Sequence, residues 1–164
     1  MSVATDLIKQ SMEMSGFCVN SYLQDLSDDQ LMIRPAPGAN HIAWQLGHLI
    51  KSEHELINMV CPGSMPPLPA GFAEKYTKET SKLDDPAAFH TKDEYLRLLN
   101  EQRAGTVAAL ETLSDQRLAE PAPEAVREYC PTVGSTFGLQ ASHWMMHSGQ
   151  WVVLRRQLGR EPLF

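Results

Sequence analysis

Apolar positions recur at helical spacing in four long stretches of the chain, separated by connections rich in proline and glycine. In residues 2–26, Leu7, Met14, Cys18, Tyr22 and Leu26 fall near one face, with Lys9, Glu13 and Asp25 among the polar positions. Ser27-Asp28-Asp29-Gln30 reads as an N-cap opening a short turn to Met32 or Ile33, and Pro35-Ala36-Pro37-Gly38 stops it. Asn40 is the expected cap of a second long helix, His41 to Val60, ended by Cys61-Pro62-Gly63. Gly47 inside that helix costs about 1 kcal/mol against alanine, and close approach of a neighbouring helix would explain it. Thr91 and Glu94 have capping-box spacing for a third helix reaching about Leu113, with Tyr95, Leu98, Leu99, Ala104 and Leu110 among its buried positions. Ser114 opens another short turn. Ser135 or Thr136 is expected to cap the fourth helix, which Gly159 and Pro162 stop.

Between the second and third helices, residues 62–90 hold four prolines before Ala70 and little periodicity. A connection of that length is expected to be partly helical, to cross the bundle and to help cover a pocket. With no alternating strand pattern, the chain is all-α: a four-helix bundle with long crossover connections. Its 164 residues fit a single domain, 1–164.

Charge changes the picture in one place. From Tyr129 to Leu154 there is no Asp, Glu, Lys or Arg, so the last helix is expected to be interior. Gln140, Gln150, Gly134 and two histidines make the same run too polar for a lipid-facing span. Elsewhere the net charge of −6, and Arg155-Arg156 as the sole adjacent basic pair, argue against a nucleic-acid partner. Three cysteines, Cys18, Cys61 and Cys130, without C-x-x-C spacing suggest reduced thiols and a cytoplasmic location, one disulfide being the alternative.

The candidate chemistry lies in His143-Trp144-Met145-Met146-His147. Histidines four apart on a helix point the same way and can share one metal ion. His48, in the middle of the second helix, is placed to face them across the bundle. His41 is seven residues away, about 10 Å along the axis; His54 points elsewhere, and His90 lies in or beside a loop. The alternative, core histidines satisfied by hydrogen bonds, stays open on spacing alone. Trp44, Trp144, Trp151, Met145 and Met146 read as packing. Glu55 and Gln150 could touch the site, or serve as an ion-paired side chain and a structural hydrogen bonder.

His41-Ile-Ala-Trp-Gln-Leu-Gly-His48-Leu, with His143-Trp-Met-Met-His147-Ser-Gly-Gln150 and the ending Leu154-Arg-Arg-Gln-Leu-Gly-Arg-Glu-Pro162, resembles the DinB/YfiT-like superfamily. The resemblance covers nearly the whole chain. It implies a four-helix bundle holding a divalent metal, zinc or nickel, on three histidines, which here are His48, His143 and His147. It also implies a transferase that activates a low-molecular-weight thiol, whose thiolate attacks an electrophilic substrate. Two alternatives stand beside it: a non-enzymatic metal-binding stress protein, and a metal-dependent hydrolase using metal-bound hydroxide. The related iron-dependent sulfoxide synthases continue the last motif into a glutamate, where Ser148-Gly149 stands here, which argues against that activity. Expected partners are the small thiol and its electrophile, with neither nucleic acid nor membrane. A homodimer through exposed helix faces is a further expectation.

Overall fold

A computed structural model of the chain describes residues 2–164. Four long helices dominate: α1 (Val3–Leu23), α3 (Ile42–Val60), α4 (Lys92–Glu111) and α6 (Val133–Gln157), with short α2 (Asp28–Leu31) and α5 (Asp115–Ala119) between them. The described residues contain no strand, only an isolated antiparallel bridge between Pro121 and Thr132. The long helices form a ring in which α6 packs between α1 and α3, α3 between α6 and α4, and α4 closes against α1. No described helix is long and apolar enough to cross a membrane.

Caps explain most helix starts. Ser27 and Thr91 accept from the backbone N–H groups of Gln30 and Glu94, whose side chains answer in full capping boxes. Two caps differ from expectation. At α3 the cap is His41, not Asn40: its Nδ1 accepts from the Trp44 backbone N–H at 3.0 Å. At α6 the cap is Thr132, with Ser135 at the third helical position closing the box by its hydroxyl. Serine is shorter than the usual Glu or Gln there, so the pattern is inconspicuous in the sequence. Gly159, at φ +71°, ends α6 in the left-handed conformation that glycine tolerates best.

The expected faces differ in three helices; in α4, Ala104 is exposed rather than buried. In α1 the core takes Met12, Cys18, Val19 and Leu23, whereas Leu7 and Met14 are exposed. Together with Met145 and Met146 they line a shallow apolar groove between α1 and α6. Accordingly α6 is not interior all round: Trp144, Ser148 and Trp151 are buried, but Met145, Met146, Gly149 and Gln150 face outward. Lack of charge marked a helix with an apolar or small-residue outer face, not a central one.

The connection after α3 behaves as a folded cover. It makes three single 3-10 turns, at Ala73–Lys75, Thr80–Lys82 and Pro86–Ala88. It buries Phe72, Tyr76 and Phe89 in the main core with Ile42, Leu46, Leu49, Ile50, Tyr95 and Trp144. Each such side chain gains about 1.5–3 kcal/mol by leaving water. Gly47 belongs to this contact. Its close neighbour is the ring of Tyr76 from the connection, not another helix. All three cysteines are free thiols.

Candidate metal centre

The structure brings His48, His143 and His147 together. Helix α6 turns both of its histidines toward α3, with ring centroids 5.0 Å apart, and His48 faces them at 5.2 and 5.5 Å. One ring nitrogen from each residue lies within 4.8 Å of the other two, and among the described residues no cysteine or carboxylate joins the group. Zinc–nitrogen bonds of about 2.0–2.1 Å set nitrogens around a tetrahedral ion about 3.4 Å apart, so small side-chain rotations would bring the three donors onto one ion. The chemistry of the donors fits as well. Burial lowers the pKa of all three imidazoles, taking His48 and His147 to about 4. Charge on the neighbouring His143 adds to the effect at both, as do Lys51 at His48 and His48 at His147. At neutral pH the rings are therefore uncharged, the form that binds a cation.

Hydrogen bonding separates these three from His41 and His54. The Nδ1 of His41 accepts from Trp44 N–H and its Nε2 donates to the Leu83 carbonyl at 3.0 Å. His54 donates from Nδ1 to Gln102 Oε1 and accepts at Nε2 from Asn58. Both are spent on structure. His90 Nδ1 is hydrogen-bonded to the Tyr76 hydroxyl at 2.6 Å. By contrast, no ring nitrogen of His48 or His143 has a hydrogen-bond partner among the described residues, and His147 uses only Nδ1, toward Gln45 at 3.0 Å. His90 also keeps one nitrogen without a partner among the described residues, but only His48, His143 and His147 converge.

Around them the wall is rigid. The Trp44 ring stacks on His48 at 5.0 Å and 6° from parallel, and its indole N–H donates to Thr77 O and Thr80 Oγ1, tying the covering connection to the site. Gln45, wholly buried, bridges His147 and Trp151. Glu53 is a buried carboxylate one layer deeper. It accepts from Trp144 Nε1 at 2.8 Å and Thr106 Oγ1 at 2.7 Å, and pairs with Arg103 at 3.1 Å. Glu55 is exposed and pairs with Lys51 at 3.8 Å, the structural role rather than the site role. Gln150 reaches the site indirectly, accepting from the Gln45 amide at 3.2 Å. A separate cavity of about 290 Å³ opens between α1 and α4 with Trp144 at its wall; none of the three histidines lines it.

A model of the DinB superfamily matches residues 19–151, a span containing all three histidines. The chain belongs to the DinB superfamily. Its fold agrees with solved structures of low sequence identity. A conserved protein from Enterococcus faecalis superposes with a TM-score of 0.73 at 20% identity, over 98% of this chain and 99% of that one. YfiT from Bacillus subtilis, described as a probable metal-dependent hydrolase with an unusual four-helix bundle topology, superposes with a TM-score of 0.67 at 21% identity, over 98% of this chain and 91% of that one. At such identities the likeness is one of fold. No curated protein matches the sequence. Sequence reasoning missed Gln45 as a partner of the site and Glu53 as a buried carboxylate bonded to Trp144. A signal for Glu53 existed, since it falls on the stripe of Leu46, Ile50, Ile57 and Val60 that α3 buries.

Proposed function

We propose that this DinB-superfamily chain is a cytoplasmic metal-dependent transferase. In this reading His48, His143 and His147 hold a divalent ion, zinc or nickel, and the site activates a low-molecular-weight thiol toward an electrophilic substrate. The observation that carries it is the convergence of three uncharged imidazoles with no fourth protein donor in the group, the ligand count of an open rather than a closed site. An ion bound there would supply Lewis acidity that favours the deprotonated form of a thiol or of water. The chain's own contribution is placement. Trp44 holds the plane of His48, Gln45 holds His147, and burial keeps all three rings unprotonated. In the transfer the thiol gives up its proton, its sulfur bonds to the electrophilic carbon, and the leaving group departs with the bonding pair.

Hydrolysis is the second reading, favoured by the description of YfiT as a probable metal-dependent hydrolase. Against it, a hydrolase would gain from a free carboxylate as general base. Here Glu53 is committed to Arg103, Thr106 and Trp144, and Glu55 to Lys51 at the surface. The test is metal content of single variants by mass spectrometry. His48→Ala, His143→Ala and His147→Ala should each lose most bound metal, while His41→Ala and His54→Ala keep it. Full retention in all of the first three would remove the site. A panel of small thiols should then perturb the spectrum of the cobalt-substituted protein; indifference to every thiol would favour the hydrolase.

A further inference from the structure

Four hydrogen bonds converge on the buried amide of Gln45. Its Oε1 lies 2.9 Å from Trp151 Nε1 and 3.0 Å from His147 Nδ1. Its Nε2 lies 2.6 Å from the Asn40 carbonyl oxygen and 3.2 Å from Gln150 Oε1. Two of these partners have no choice of role: an indole N–H can only donate, and a backbone carbonyl can only accept. Both demand the same orientation of the amide, oxygen toward Trp151 and nitrogen toward Asn40. The atom facing His147 is therefore an acceptor, and Nδ1 must carry a hydrogen to meet it. A neutral imidazole has one N–H, which leaves the lone pair on Nε2.

We infer that Gln45 is a positioning residue that locks His147 in the Nδ1–H tautomer and so reserves Nε2 for the metal. That Nε2 serves a metal rests on the function proposed above; the tautomer follows from this chain's hydrogen bonds alone. An unconstrained imidazole samples both tautomers, and only one presents the correct nitrogen. The lock spans two helices, because Gln45 is on α3 and His147 and Trp151 are on α6. It therefore also fixes how the helix carrying two of the histidines sits against the helix carrying the third. The same accounting applied to His41 gives the opposite tautomer. There Nδ1 accepts from Trp44 N–H and Nε2 carries the hydrogen to Leu83, a purely structural role that serves as an internal control.

Long-range proton–nitrogen NMR on the ¹⁵N-labelled, metal-free full chain at neutral pH reads the tautomers directly, with His147 assigned by the His147→Gln variant. The expected spectrum has a protonated-type Nδ1 and an unprotonated-type Nε2 at His147, and the reverse at His41. An Nε2–H or averaged signal at His147 overturns the lock. Gln45→Met, similar in volume but without an acceptor oxygen, should average the His147 signals and weaken zinc binding by roughly 10–100-fold in a chelator competition. Unchanged zinc affinity in a folded Gln45→Met protein also overturns it. Should that variant not fold, the wild-type spectrum decides alone. Failure of the wild type to bind zinc, with the His147 tautomer as expected, would sink the metal reading and keep the lock; zinc binding with the opposite tautomer would do the reverse.

Discussion

Replacing Gly47 with alanine sets two effects of opposite sign against each other. Alanine in a helix interior gains about 1 kcal/mol over glycine. The new Cβ, however, would lie 2.0, 2.1 and 2.4 Å from Cε1, Cζ and Cδ1 of Tyr76. Carbon atoms pack best at about 3.5–4.0 Å, so the ring must retreat by roughly 1.5 Å. It is not free to do so. Tyr76 is 2% exposed, and its hydroxyl is hydrogen-bonded to His90 Nδ1 at 2.6 Å and to the Tyr95 hydroxyl at 2.8 Å. Overpacking of this kind costs about 1–3 kcal/mol, and each hydrogen bond lost adds about 0.5–1.5 kcal/mol. With both hydrogen bonds lost, the packing loss outweighs the propensity gain and leaves a net destabilisation of about 1–5 kcal/mol. Gly16 in the middle of α1 is the control, since a Cβ there meets nothing within 4 Å and its φ is not positive. Gly16→Ala should therefore stabilise by up to about 1 kcal/mol. Urea unfolding of the two variants beside the wild type measures both. A Gly47→Ala protein as stable as the wild type would refute the reasoning, and with it the claim that the connection is locked onto α3 beside His48.

Other consequences follow from the buried polar groups. Glu53→Leu leaves the largely buried Arg103 guanidinium without its anion, and Trp144 and Thr106 without their acceptor. A loss of about 3–5 kcal/mol is expected, seen in calorimetry as a Tm about 10 °C lower; a Tm within about 2 °C of wild type would contradict the network. In the metal-free chain, His48 and His147 are held near 4 against an ordinary 6.5. Between those values the unfolded chain binds more protons than the folded one. Stability is therefore full above about pH 6.5 and falls as pH drops toward 4, levelling below it. Denaturation at a series of pH values should show this fall, shallower in His48→Ala; equal slopes in the two proteins would rule the histidines out as its source.

Much of the bundle was legible because its signals are local. Thr91 with Glu94, Ser27 with Gln30 and Gly159 before Pro162 act within a turn of chain, and so does the spacing of His143 and His147. His48 needed only the assumption that a mid-helix histidine faces the bundle. What was not legible depends on which neighbour a side chain meets. His41 caps α3 because an imidazole Nδ1 replaces the expected Asn40 oxygen. Glu53 and Glu55 stand two apart in one polar run, yet one sits inside the core and the other pairs with Lys51 in solvent. Periodicity could have told them apart, whereas the partners Arg103, Thr106 and Trp144 come from α4 and α6 and no local pattern names them. Gln45 looks like any polar residue on a helix until α6 brings Trp151 and His147 against it. The outward turn of Met145 and Met146 was hidden for the same reason: an uncharged helix can be interior or can present an apolar groove, and only its packing decides.

The central claim is an open three-histidine metal site that takes a thiol. X-ray absorption on the zinc-loaded protein, with and without small thiols, tests it most directly. The account predicts three nitrogen scatterers and one light exchangeable atom, replaced on thiol addition by a sulfur at about 2.3 Å. A closed shell of four protein ligands, unchanged by every thiol tried, would contradict it.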